Sequence, residues 1–204
     1  MTAGTGARAL RALSVPLALV VLIGLSGVVL GQIYAGPLLT RFVVGAAVGS
    51  VGIGVAARRL PSGLVAPLSV GALAGYALVA LRLAALRADQ SGQLIDIVGE
   101  AVRNGIPRLL TAMIPVEPVP DTVVVPIVAA WATGLAATEL AVRARRVLLS
   151  YLPPTLLYAG ALYLVGPNAE APRWATLGFA AAAAVGLALS GRPTGPALDA
   201  RALP

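Results

Sequence analysis

Six long apolar runs occupy most of this chain, and they constrain its fold more than any other feature. The runs are Leu13 to Ile33, Leu38 to Ala57, Gly63 to Ala85, Thr122 to Val142, Val147 to Val165 and Trp174 to Ser190. A helix rises about 1.5 Å per residue, so about 20 apolar residues cover a hydrocarbon core roughly 30 Å thick. The sequence therefore predicts an all-α, polytopic membrane bundle of six spans. Composition agrees: 58% of the 204 residues are hydrophobic and 11% are charged, with a mean hydropathy of +0.90. The bilayer, not water, is the expected solvent. The first run is longer than the apolar region of a typical cleaved leader, and no small-x-small site stands out near Gln32-Ile33-Tyr34-Ala35. A retained helix is the expectation.

The net charge of +7 is arranged for orientation rather than for a polyanion. Arg8 and Arg11 precede the first run, Arg58 and Arg59 follow the second, Arg143, Arg145 and Arg146 follow the fourth, and Arg192 and Arg201 follow the sixth. All of these fall on one side. Arg41, Arg82, Arg87, Arg103, Arg108 and Arg173 fall on the other, offset by Asp89, Asp96, Glu100, Glu117, Asp121 and Glu170. Basic clusters in short loops mark the cytoplasmic face, and Arg58-Arg59 and Arg143 to Arg146 fit that rule best. Both termini are then expected in the cytoplasm of a plasma-membrane protein, as tails 1–12 and 191–204 flanking a membrane domain 13–190. Nucleic acid is not an expected partner, because no aromatic residues interleave with the arginines.

The sole long connection, about Leu86 to Asp121, is expected outside. Within it Leu94, Ile97, Val98, Ala101 and Val102 recur at helical spacing, opposite Asp96, Glu100 and Arg103. An amphipathic helix follows, with Ser91 as its cap and Asn104-Gly105 as its stop before Ile106-Pro107. Its polar face is mixed in sign, unlike helices that seek anionic lipid, and the helix is expected to lie on the outer end of the bundle or in the membrane interface, with a partner-docking surface second and a gate or lid third. Asp96, Glu100 and Arg103 are the candidate partner contacts. From Met113 to Asp121 the prolines at 115, 118 and 120 predict extended chain, ending at Asp121 as N-cap of the fourth span.

Glycines four apart, Gly27 and Gly31, Gly45 and Gly49, Gly71 and Gly75, are expected to let helices approach closely within the bundle. Pro16, Pro67 and Pro126 sit near the starts of their runs, where a missing donor costs least. Pro153 and Pro154 lie deeper and predict a kink or local unwinding in the fifth span. Arg41 and Arg82, about a turn inside their runs, can snorkel to the interface. Glu139 and Arg143 are spaced as an i, i+4 pair. Tyr163, Trp174 and Tyr151 fall at expected boundaries, and Trp131 and Tyr76 fall mid-span, where packing between helices is expected.

Chemistry is narrowed by absence. The chain has no Cys, His or Lys, which removes thiolate nucleophiles, imidazole bases, Schiff-base lysines and the usual zinc ligands. No acid or arginine sits at the middle of a span, so a polar path for a carrier is not legible, and no cofactor is implied.

One stretch carries a resemblance. Pro115-Val-Glu-Pro118, Asp121 to Pro126, Trp131, the Arg143-Ala-Arg-Arg146 loop and Leu149 to Pro154, taken with the six-span layout, resemble the N-terminal membrane region of bacterial transglutaminase-like proteins of the TgpA type. In that family the membrane region precedes an extracytoplasmic transglutaminase-like domain with a Cys, His and Asp triad. This chain lacks two of the three residue types, so no catalytic residue carries over. The resemblance implies a non-catalytic anchor or scaffold for envelope machinery, either the membrane portion of a longer or split protein or a stand-alone relative. Its partners would be the lipid bilayer and envelope proteins or a separate transglutaminase-like domain. A small channel or carrier is the second expectation, resting on the Pro153-Pro154 break.

Overall fold

The computed structural model describes residues 3–90, 92–111, 113–166 and 173–190. Ser91, Glu170, Arg192, Arg201 and both extreme termini lie outside them, as do the side chains of Arg8, Arg11 and Arg59. The helices are α1 (Ala3–Leu30), α2 (Leu38–Ala56), α3 (Ser62–Arg87), α4 (Leu94–Thr111), α5 (Pro120–Thr138), α6 (Val147–Ser150), α7 (Leu152–Val165) and α8 (Arg173–Ser190). Among the described residues six helical segments are long and apolar enough to cross a membrane, as the sequence predicts. They make this a multi-pass membrane protein of all-helical class. α1 begins at Ala3, well before the apolar run, because nothing from Ala3 to Leu13 except glycines opposes helix.

The spans are not equivalent. α2 packs on α1 and α5, and α5 reaches α3, α4 and α7 as well, while α8 leans mainly on α1. Half of the α2 window is buried, against 22% for α3 and 11% for α8. Leu19, Ile23, Leu39, Val43, Val123 and Ile127 fill the shared core, while Leu22 packs in a smaller cluster with Ala18 and Tyr151. Glycine makes the α2–α5 seam close. A Cβ on Gly49 would meet Trp131 at 2.9 Å, one on Gly54 would meet Thr138 at 2.7 Å, and one on Gly134 would run into the Ser50 hydroxyl. Gly27 does the same for α1 against Val43, at 2.6 Å, and Gly31 against Thr40. Gly71 and Gly75 do not behave as the spacing predicts. Neither meets anything within 4 Å, because α3 turns Val65, Ser69, Tyr76 and Ala80 inward and its glycines outward.

Three of the prolines lie deeper in their helices than the sequence suggests, while the fifth span is interrupted as Pro153 and Pro154 predict. Pro16, Pro67 and Pro126 lie inside α1, α3 and α5 rather than in a first turn. Each leaves the carbonyl four residues earlier without its helical donor. For Pro126 that carbonyl belongs to Thr122, and the Tyr34 hydroxyl donates to it at 2.7 Å. In the fifth span the interruption falls at Tyr151, between α6 and α7, so that Pro153 and Pro154 open the new helix where their missing donors are not needed. α4 runs through Asn104-Gly105 to Thr111 and does not stop there. Gly105 is buried against α5, where a Cβ would meet Val124 at 2.9 Å, so tertiary packing holds a turn that local propensity would end.

Candidate functional site

Three ties gather the end of the bundle that carries α4. The chain after the first span pairs with segment 113–119: Ala35 N–H donates to Val116 O at 2.9 Å, and Val116 N–H donates to Ile33 O at 2.7 Å. Segment 113–119 is non-helical, as its prolines predict, with a cis Ile114-Pro115 peptide. Tyr34 then reaches α5 through Thr122, and burial of its phenol pushes the pKa above the ordinary range, which keeps it a neutral donor. Arg108 of α4 closes the set, pairing with Asp121 at 2.6 Å.

Asp121 is therefore not the N-cap. Pro120 occupies the first helical position, Val119 precedes it without a side-chain cap, and the Asp121 carboxylate is 9% exposed beside the more exposed Arg108. An acid in a first turn also favours the positive end of the helix dipole. The Thr122 hydroxyl meanwhile donates to Glu117 O at 2.7 Å and Val119 O at 3.0 Å, fixing the entry of the chain into α5.

Around this frame lie two adjoining hollows of about 480 and 470 Å³. Gln90, Glu117 and Val119 belong to both, Arg87 and Asp89 line the first, and Arg108, Thr111 and Thr122 line the second. Asp89 holds φ at 52°, a left-handed conformation uncommon outside glycine, in the turn that ends α3. The candidate contacts Asp96, Glu100 and Arg103 share one exposed face of α4 beyond these hollows and are not brought into them. Sequence reasoning found the amphipathic helix but missed Tyr34, Arg108 and the pairing through Val116. Only the loop prolines hinted at the last.

The opposite end is tied by Arg143. It pairs with Glu139 at 3.0 Å, as the spacing predicts, from a π-helical turn, Glu139–Arg143, that ends α5. Its Nη2 also donates to Ala57 O at 3.1 Å and Leu60 O at 3.0 Å, carbonyls left over where α2 ends. Arg143 is thus a structural clamp as well as a topology signal, whereas Arg58, Arg145 and Arg146 are exposed.

Between the two ends, aromatic side chains tie α2, α3 and α5 together. Trp131 donates to the Ser69 hydroxyl at 3.1 Å, Tyr76 donates to Phe42 O at 2.7 Å, and their rings lie 5.7 Å apart. Both mid-span aromatics pack between helices, as expected. Among the described residues Asp121 is the buried charged side chain, and it sits at one end. No group of three acids among them could hold a metal ion. No protein-family model, curated protein or solved structure matches this chain.

Proposed function

We propose that this chain is a non-catalytic membrane domain that anchors or scaffolds envelope machinery, with the α4 end as its contact surface. The observation that carries the reading is a contrast. The α4 end is polar, hollowed and cross-tied through Tyr34, Val116 and Arg108, while the middle of α2, α3 and α5 is packed with the aromatic pair Trp131 and Tyr76. A cross-tied polar surface at the end of a bundle whose one buried charge among the described residues, Asp121, lies at that end suits holding a partner better than moving a solute. The arginine clusters at Arg58-Arg59 and Arg143 to Arg146 support an orientation with the α4 end outside the cytoplasm, by the positive-inside rule. A cysteine-based triad is absent from the chain, since cysteine is absent. The transglutaminase-like domain suggested by the sequence resemblance would therefore be supplied by other residues or another chain.

The test uses the lack of native cysteine. Gly92→Cys in intact cells should react with a membrane-impermeant maleimide, and reaction only after lysis would sink the orientation. A photocrosslinker at Glu117 should give one adduct with an extracytoplasmic protein, and that adduct should vanish on Glu100→Ala with Arg103→Ala or on replacement of Arg87. Adducts with lipid alone would count against a scaffold. A second reading, a small channel or carrier, draws on the break at Tyr151, whose buried hydroxyl has no hydrogen-bond partner among the described residues. Flux through proteoliposomes that is lost on Tyr151→Phe would favour it.

A further inference from the structure

α4 has three faces rather than the two of an ordinary amphipathic helix. Ile97, Ala101 and Gly105 are buried, and Leu109 is half-buried beside them. Asp96, Glu100, Arg103 and Asn104 are exposed and polar. The third face is apolar and bare: Ile95 is 77% exposed, Val102 69%, Ile106 62% and Leu110 69%. At about 100° per residue these four lie within about 80° of one another, so they form one stripe. It borders the buried face on one side and the polar face on the other. Met113 and Ile114, just past the helix end, are also apolar and exposed, at 89% and 60%.

What covers that stripe is set by where α4 packs. Gly105 sits against Val124 and Val125, with a Cβ there meeting their side chains at 2.9 and 3.3 Å. Those valines belong to the span Pro120–Arg143. Val124 lies about 6 Å along the helix from Pro120. Interfacial helices bury their apolar faces about 5–10 Å into the boundary between headgroups and acyl chains. Leu83 and Leu86, near the same end of α3, are likewise apolar and bare, at 45% and 60% exposed.

We infer that α4 is a membrane-inserted interfacial helix, wedged between the bundle and the lipid of its leaflet, with Ile95, Val102, Ile106 and Leu110 among the acyl chains and Asp96, Glu100 and Arg103 at the water. This stands independently of the scaffold reading. Because the polar face is mixed in sign, insertion draws on apolar contact and not on anionic headgroups.

The test is collision mapping with spin labels on single cysteines at Val102, Ile106, Leu110, Glu100 and Arg103, in the full chain reconstituted in phosphatidylcholine vesicles. All five sites are exposed, so the labels leave the packed face untouched. The three apolar sites should collide with oxygen several-fold more than with a water-soluble nickel chelate, and Glu100 and Arg103 should show the reverse. Adding phosphatidylglycerol should leave the pattern unchanged. Nickel access at Val102, Ile106 and Leu110 equal to that at Glu100 would overturn the inference. So would shielding of those three from both reagents, which would mean that a second copy of the chain covers the stripe.

Discussion

Two glycine pairs with the same spacing have opposite fates. On α2, Gly45 and Gly49 receive the Tyr76 hydroxyl and the Trp131 ring, whereas on α3 Gly71 and Gly75 face open space. The difference lies in the neighbours. α2 is enclosed between α1 and α5, while α3 offers one face to the bundle and turns the other to lipid. Small residues at this spacing allow close approach, and whether the approach happens is decided by large side chains far away in sequence.

The enclosed side of this comparison should break first. Trp131→Ala removes the ring that fills the groove over Gly49 together with its bond to Ser69, and a loss of about 3–5 kcal/mol is expected from buried aromatic truncation. Unfolding of the reconstituted protein in a denaturing detergent titration would measure it, and a loss below that of Leu83→Ala would refute the central role of α2. Next, Gly49→Leu should cost about 1–3 kcal/mol by overpacking, while Gly71→Leu should fall within about 0.5 kcal/mol of the parent in the same titration. Equal costs at the two positions would dissolve the distinction.

A further contrast, of similar size, sharpens the comparison at the α4 end. Tyr34→Phe leaves the Thr122 carbonyl buried without a donor, at a cost of about 1–3 kcal/mol. Pro126→Ala gives that carbonyl back its helical partner. The double variant should therefore lose less than Tyr34→Phe alone, and simple additivity of the two changes would show that the phenol is not compensating for the proline. Arg143→Lys, which keeps the charge but loses the forked donor, should leave orientation unchanged while lowering stability by about 1 kcal/mol. Cysteine labelling and the detergent titration read the two effects separately.

These contrasts explain how much of the molecule the sequence disclosed. The spans were legible because apolar length is a one-dimensional signal, and the observed apolar spans fall within a few residues of the predicted runs. The faces were not. Lipid is as apolar as a protein core, so the pattern that separates inside from outside in a water-soluble helix carries little contrast in α3 or α8. The same blindness hid the bare stripe on α4, where Val102 reads as core by spacing yet is 69% exposed. Asn104-Gly105 read as a stop because the partner that overrides it, Val124, is almost twenty positions away. Asp121 read as a cap for the same reason, since nothing local marks Arg108 as its counter-charge. Glu139 with Arg143 was legible because both partners lie on one turn.

The bond from Tyr34 to Thr122 joins residues 88 apart in the chain. It therefore imposes a schedule on biogenesis. When the first helical pair enters the membrane, the phenol at its connecting loop has no protein acceptor and must stay hydrated at the surface. Only after the fourth span has been threaded does the acceptor exist, and the water is then released. The first connecting loop is made early in translation, yet it becomes native only when more than half of the chain has been delivered.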